Sequence, residues 1–151
     1  MVSSIEDPIG PECNGFGLLA LAITQWSSVA LVEALAEKGA AMNKISTGQK
    51  SLYAYIFVDK VATKQRIPLI YSLIRHRCDP FRGEHNALAY ALVYNRVDCG
   101  EVLLRNFPKL VHARTCGNKR PLEILIGSIG TVDTACWTRL LALQGSDMTY
   151  H

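Results

Sequence analysis

Four leucines, Leu19, Leu52, Leu88 and Leu122, each open an apolar stretch, at separations of 33, 36 and 34 residues. A second apolar stretch follows each one. Val29 to Lys38 places Val32, Leu35 and Ala36 on one face, and Ile67 to His76 carries Ile70, Leu73 and Ile74. Glu101 to Asn106 carries Val102, Leu103 and Leu104, and Thr134 to Gln144 carries Trp137, Leu140 and Leu141. Spacing of this kind predicts helices. Gly39 and Gly145 stand where a helix is stopped by a left-handed residue, and Pro108 ends the third of these stretches. Pro68 is expected in a first helical turn. The predicted unit is a helix hairpin repeated four times, too small to bury its own apolar face and therefore stacked on its neighbours.

A turn precedes each first helix. The four read Cys13-Asn14-Gly15-Phe16, Ser46-Thr47-Gly48-Gln49, Phe81-Arg82-Gly83-Glu84 and Thr115-Cys116-Gly117-Asn118. Gly or Asn three to five residues ahead of the helix supplies the positive φ of a tight hairpin tip. Pro121 sits where a first helical turn tolerates a missing N–H. The expected organisation is a leader over residues 1–11 and one domain over 12–151, divided into units at about 12–44, 45–80, 81–114 and 115–151.

This pattern resembles the ankyrin repeat, a β-turn followed by two helices with a Thr-Pro-Leu-His-x-Ala signature. Arg120-Pro121-Leu122 matches the signature best, while Gly17-Leu18-Leu19-Ala20-Leu21-Ala22 and Asn86-Ala87-Leu88-Ala89-Tyr90-Ala91 keep its Leu and Ala. Val32-Glu33-Ala34-Leu35-Ala36-Glu37-Lys38-Gly39-Ala40 is similar to the family's second helix and stop. The resemblance covers about residues 12–148. It departs at the signature His, replaced by Ala20, Tyr53, Ala89 and Glu123, and at the small Ala, replaced by Tyr55 and Leu125. The stretch from Asn106 to His112 lengthens the third unit. The resemblance implies an all-α, ankyrin-like repeat solenoid of helix-turn-helix units joined by β-hairpin-like loops. It also implies a non-catalytic protein-binding role (adaptor, inhibitor or effector) on a concave face lined by hairpin tips and first helices.

Carried over by position, that face holds Asn14 and Phe16 in the first unit and Ser46, Thr47 and Gln49 in the second. Arg82 and His85 follow in the third, and Lys119 and Arg120 in the fourth. The tips grow more basic along the array, which suits a protein partner with an acidic segment. Tyr53 and Phe57 are four residues apart, as are Tyr90 and Tyr94, so each pair shares a helix face. With Leu52, Tyr55, Ile56, Leu88, Ala91 and Leu92 as the core stripe, the two aromatic pairs are expected towards the groove, where aromatics make binding hot spots. The alternative is that they fill core volume left by the missing signature residues. Trp26 is expected to pack in the turn to Val29, and Trp137 in the core.

The remaining features narrow the chemistry. With 49% apolar residues and a net charge of +3, the chain can build a core but has little steering towards nucleic acid or anionic membrane. The longest apolar run, Phe16 to Ile23, is far short of the roughly 20 residues of a membrane span, and the first residues lack a secretory pattern. Five cysteines without CxxC spacing suit reduced thiols in the cytoplasm or nucleus and no metal site. Gly48-Gln49-Lys50-Ser51 matches the tail of a phosphate-binding loop, but Asn43 stands where its first Gly belongs. His76, Cys78 and Asp79 cluster at a helix end, where a His suits the helix dipole. No carboxylate pair converges, so neither catalysis nor a cofactor is expected, and the chain is expected to be monomeric by itself. The alternative readings are a structural segment of a larger repeat protein and a small-ligand-binding regulatory domain.

Overall fold

The computed structural model describes residues 16–45, 49–58, 60–127, 130 and 132–144. The leader and the sequence-derived positions Asn14, Ser46 and Thr47 lie outside the described residues. Among the described residues the chain is all-α and contains no strand. Its helices are α1 (Phe16–Thr24), α2 (Val29–Glu37), α3 (Leu52–Ile56) and α4 (Thr63–Arg75), followed by α5 (Ala87–Val93), α6 (Val97–Asn106), α7 (Pro121–Gly127) and α8 (Thr134–Gln144). A short 3-10 turn, Pro108–His112, accounts for the lengthened third unit.

The ends of these helices follow local chemistry. Ser28 caps α2 by accepting from the Leu31 N–H at 3.1 Å, and Asn86 caps α5 by accepting from the Ala89 N–H at 2.9 Å. Three helices stop alike. The N–H groups of Ala40, Cys78 and Arg96 reach back to the carbonyls of Leu35, Leu73 and Ala91, after a left-handed Gly39 (φ 94), Arg77 (φ 65) or Asn95 (φ 58). These are Schellman-type closures, and they need no glycine in two of the three cases.

Two helices begin earlier than their apolar stretches. Thr63, not Ile67, opens α4, so Pro68 lies in the helix interior rather than in its first turn. Tertiary anchors hold the added turn. Gln65 donates to the Ser27 carbonyl at 3.1 Å, and the buried Arg66 guanidinium donates to the carbonyls of Ile56 and Val58 at 3.1 and 3.2 Å. Val97, not Glu101, opens α6, which places Gly100 inside a helix.

Helices pack within each hairpin, α1 on α2, α3 on α4, α5 on α6 and α7 on α8, and also along two rows. One row is α1–α3–α5–α7 and the other α2–α4–α6–α8. The core between them contains Leu19, Ile23, Leu52, Ile56, Leu69, Leu73, Leu88, Leu92, Leu103 and Trp137, all fully buried. Trp137 is in the core as its spacing predicts, and its Nε1–H donates to Asn95 at 3.1 Å. Trp26 is not packed in its turn. It is 61% exposed, and the turn from α1 to α2 is closed by backbone bonds from Ser27 and Ser28 to Ile23 and Ala22.

Candidate functional site

The tips before α3, α5 and α7 form a linked row. Each has a left-handed residue: Gln49 (φ 63), Gly83 (φ 95), and Gly117 with Asn118 (φ 73 and 61). The Glu84 N–H donates to the Gln49 carbonyl at 2.8 Å, tying the second tip to the third. The Thr115 hydroxyl accepts from the Asn86 N–H at 2.8 Å and donates to the Glu84 carbonyl at 3.2 Å, tying the third to the fourth. Gly83 is required twice over, by its positive φ and because a Cβ there would lie 3.1 Å from the Gln49 carbonyl oxygen. The fourth tip has a hairpin-type bridge, Thr115 with Lys119, and no strand forms among the described residues.

On this row Gln49, Arg82, Lys119 and Arg120 are exposed and His85 is half-buried. The Arg120 N–H donates to the Glu123 carboxylate at 2.7 Å, closing the first turn of α7. Arg114 reaches the Asn118 carbonyl at 2.7 Å and steadies the fourth tip. These polar positions stand together along one edge.

The aromatic positions require a correction. Tyr53 and Phe57 are fully buried, Tyr90 is nearly so, and Phe16 is 3% exposed; of the two aromatic pairs only Tyr94, at 44%, reaches solvent. Two physical reasons account for this. The short α3 is over by Ile56, so Phe57 is the capping residue and not the next position on Tyr53's face. The α3 helix also packs on α1, α4 and α5 at once, leaving no free side for Tyr53. The Tyr53 hydroxyl donates to the Cys78 carbonyl at 2.8 Å, and burial pushes its pKa well above the usual phenol range. Phe57 lies nearly parallel to Tyr94, with centroids 6.3 Å apart and planes 5° from parallel. Phe16 meets Tyr55 edge-on at 6.0 Å, and His85 meets Tyr90 edge-on at 5.2 Å.

Between α3 and α5 these residues border an open groove of about 270 Å³, lined by Lys50, Ala54, Val58, Glu84, His85, Tyr90, Val93 and Tyr94. It brings together His85, Tyr90 and Tyr94 from the sequence-derived set. Five of its residues were missed by sequence reasoning. Val93, 51% exposed and three positions after Tyr90, could have been found from helical spacing; Ala54 and Val58 could not, because their place in the groove lining depends on where α5 lies. Its lining combines apolar Ala54, Val58 and Val93 with polar Lys50, Glu84 and His85.

Chemistry suited to catalysis is weak elsewhere. Cys78 donates its S–H to the Met42 carbonyl at 3.1 Å, and burial raises its pKa to about 12. Burial likewise raises Cys99 to about 12, and a hydrogen bond with Asp133 raises Cys136. Thiols held protonated in this way are poor nucleophiles. His76 caps α4, and Asn43 receives the Asp79 N–H while donating to the Arg77 carbonyl, so the His76-Cys78-Asp79 cluster is a structural turn joining two units. Among the described residues no group of three His, Cys, Asp or Glu side chains could hold a metal ion, and no helix is long and apolar enough to cross a membrane. Comparison with protein-family models, with curated proteins and with solved structures returned no match.

Proposed function

We propose that the chain is a divergent ankyrin-like array acting as a non-catalytic protein-binding module, with the partner seated on the face that carries the α3–α5 groove and the row of tips. The observation that carries this reading is the groove itself, where half-exposed Tyr94 and Val93 stand with Ala54 and Val58 beside a row of polar tips linked by hydrogen bonds. The two rows of helices and the four aligned units support the array reading. Aromatic anchors at the rim of a shallow groove suit a protein surface, since such residues carry most of an interface's binding energy. The exposed Arg82, Lys119 and Arg120 favour a partner with an acidic segment along the later tips.

The test is affinity capture with the wild-type chain, a Tyr94→Ala/Val93→Ser variant and an Arg82→Glu/Lys119→Glu/Arg120→Glu variant, each first shown to melt like the wild type. A protein retained by the wild type and lost from the first variant supports a groove anchor, and loss from the second supports the acidic segment. Equal retention by all three would place the interface elsewhere and refute this assignment.

A further inference from the structure

Two stretches of the binding face differ in charge. In the α3–α5 groove Lys50 and Glu84 carry opposite charges, and Ala54, Val58, Val93 and Tyr94 supply apolar and aromatic surface. His85 lines the same groove, and its Nδ1 is buried with no hydrogen-bond partner among the described residues. A buried nitrogen left unpaired is costly, so an occupant that brings a hydrogen-bonding group is favoured over one that does not. The fourth tip is cationic instead. Arg114, Lys119 and Arg120 are exposed there against one carboxylate, Glu123, which accepts from the Arg120 N–H. The Thr115 hydroxyl holds this tip to the third by donating to the carbonyl of Glu84, itself a groove residue.

We infer that the groove takes a tyrosine side chain from a short extended segment of the partner protein, whose acidic residues, about four positions away, lie against the fourth tip. This rests on the protein-binding reading above and specifies its partner. A phenol suits the groove because it is uncharged and sets a ring beside Tyr94 and Val93. Its hydroxyl donates or accepts, and so serves His85 in either tautomer. The spacing follows from the row α3–α5–α7. Packed helices lie about 8–10 Å apart, which puts the tip ahead of α7 about 12–15 Å from a groove centred between α3 and α5. An extended chain covers that distance in about four residues, at roughly 3.3 Å each. A helical segment is disfavoured, because a groove-bound helix needs apolar anchors on successive turns, and here the groove gives way to the exposed polar residues of the tips.

Random twelve-residue peptides displayed on phage and panned on the intact chain test this, with selected sequences then titrated as fluorescein-labelled peptides by fluorescence anisotropy. The expected consensus is Tyr with Asp or Glu about four positions away, on the same side in every peptide. Changing that Tyr to Phe should weaken binding about three- to tenfold, and a His85→Leu chain that melts like the wild type should bind both forms alike. Lys119→Glu with Arg120→Glu, at exposed positions, should weaken a selected peptide about tenfold and leave unchanged the binding of a form with Ser in place of its acids. A selection that enriches nothing, a consensus without Tyr, or acidic residues at no fixed distance overturns the inference. So does a His85→Leu chain that still prefers Tyr to Phe. A partner protein lost from the Tyr94→Ala/Val93→Ser variant, alongside an empty selection, overturns the tyrosine segment while leaving the protein-binding reading in place.

Discussion

Gly100 lies within α6, where replacing glycine by alanine ordinarily stabilises a helix by about 1 kcal/mol. Here the opposite is expected. A Cβ at this position would sit 2.6 Å from Cη2 and 2.7 Å from Cζ3 of Trp137, against an ordinary carbon–carbon contact of about 3.5–4.0 Å. The indole has little room to yield. It is fully buried, and its Nε1–H is tied to Asn95, itself the left-handed stop of α5. Opening about 1 Å between α6 and α8 is an overpacking error that costs roughly 1–3 kcal/mol, and the rigid ring places it in the upper part of that range. After the propensity gain, Gly100→Ala should lose about 1–2 kcal/mol, or roughly 3–6 °C in Tm for a chain of this size. Thermal and urea melts followed by circular dichroism measure the loss. The decisive comparison is the same change in a Trp137→Leu background, where the clashing atoms are gone and Gly100→Ala should be neutral or stabilising. A double-mutant cycle should then give a coupling of at least about 1 kcal/mol. A higher Tm for Gly100→Ala in the wild-type background, or the same effect in both backgrounds, would refute the argument.

Other outcomes follow from the buried polar groups. Arg66→Met removes a charged donor from the carbonyls of Ile56 and Val58 and should destabilise by about 2–3 kcal/mol in urea melts, with α3 losing hydrogen-exchange protection first. Asn86→Ala should cost about 1 kcal/mol through the lost α5 cap, and Asn86→Gly less, since glycine is a tolerable cap. Burial raises the folded-state pKa of Cys78 and Cys99 to about 12 and that of Tyr53 above the phenol range, so their unfolded forms ionise first. Their contribution to stability is complete below an unfolded thiol pKa of about 8.5 and is lost as pH rises from there towards about 12, the Tyr53 share beginning to fall near pH 10. Cys78→Ser and Tyr53→Phe should each flatten that decline in a series of melts against pH. In native protein the peptide carrying Cys136 should be alkylated before those carrying Cys78 and Cys99, as read by mass spectrometry; prompt labelling of Cys78 would contradict its burial.

The eight helical segments and the Gly39 stop were legible in the residues because each depends on near neighbours. Apolar spacing marks a helix, and glycine or proline marks an end. Two of the three Schellman stops escaped notice because Arg77 and Asn95, unlike Gly39, do not advertise a left-handed backbone. The first turn of α4 escaped for another reason, since Gln65 is held by Ser27 of the preceding hairpin and Arg66 by Ile56 and Val58 in the turn before α4. For the candidate site, the row of tips was readable from turn chemistry, while the orientation of the aromatics was not. Tyr53 and Tyr94 carry the same ring in successive first helices; one is fully buried and the other is the exposed wall of the groove. What the sequence determined by itself is therefore the helices and the apolar register along α1, α3 and α5. Which of those apolar and aromatic side chains are core, and which are surface, was decided only when the helices packed, because burial belongs to the neighbours that flank a helix and not to the helix alone.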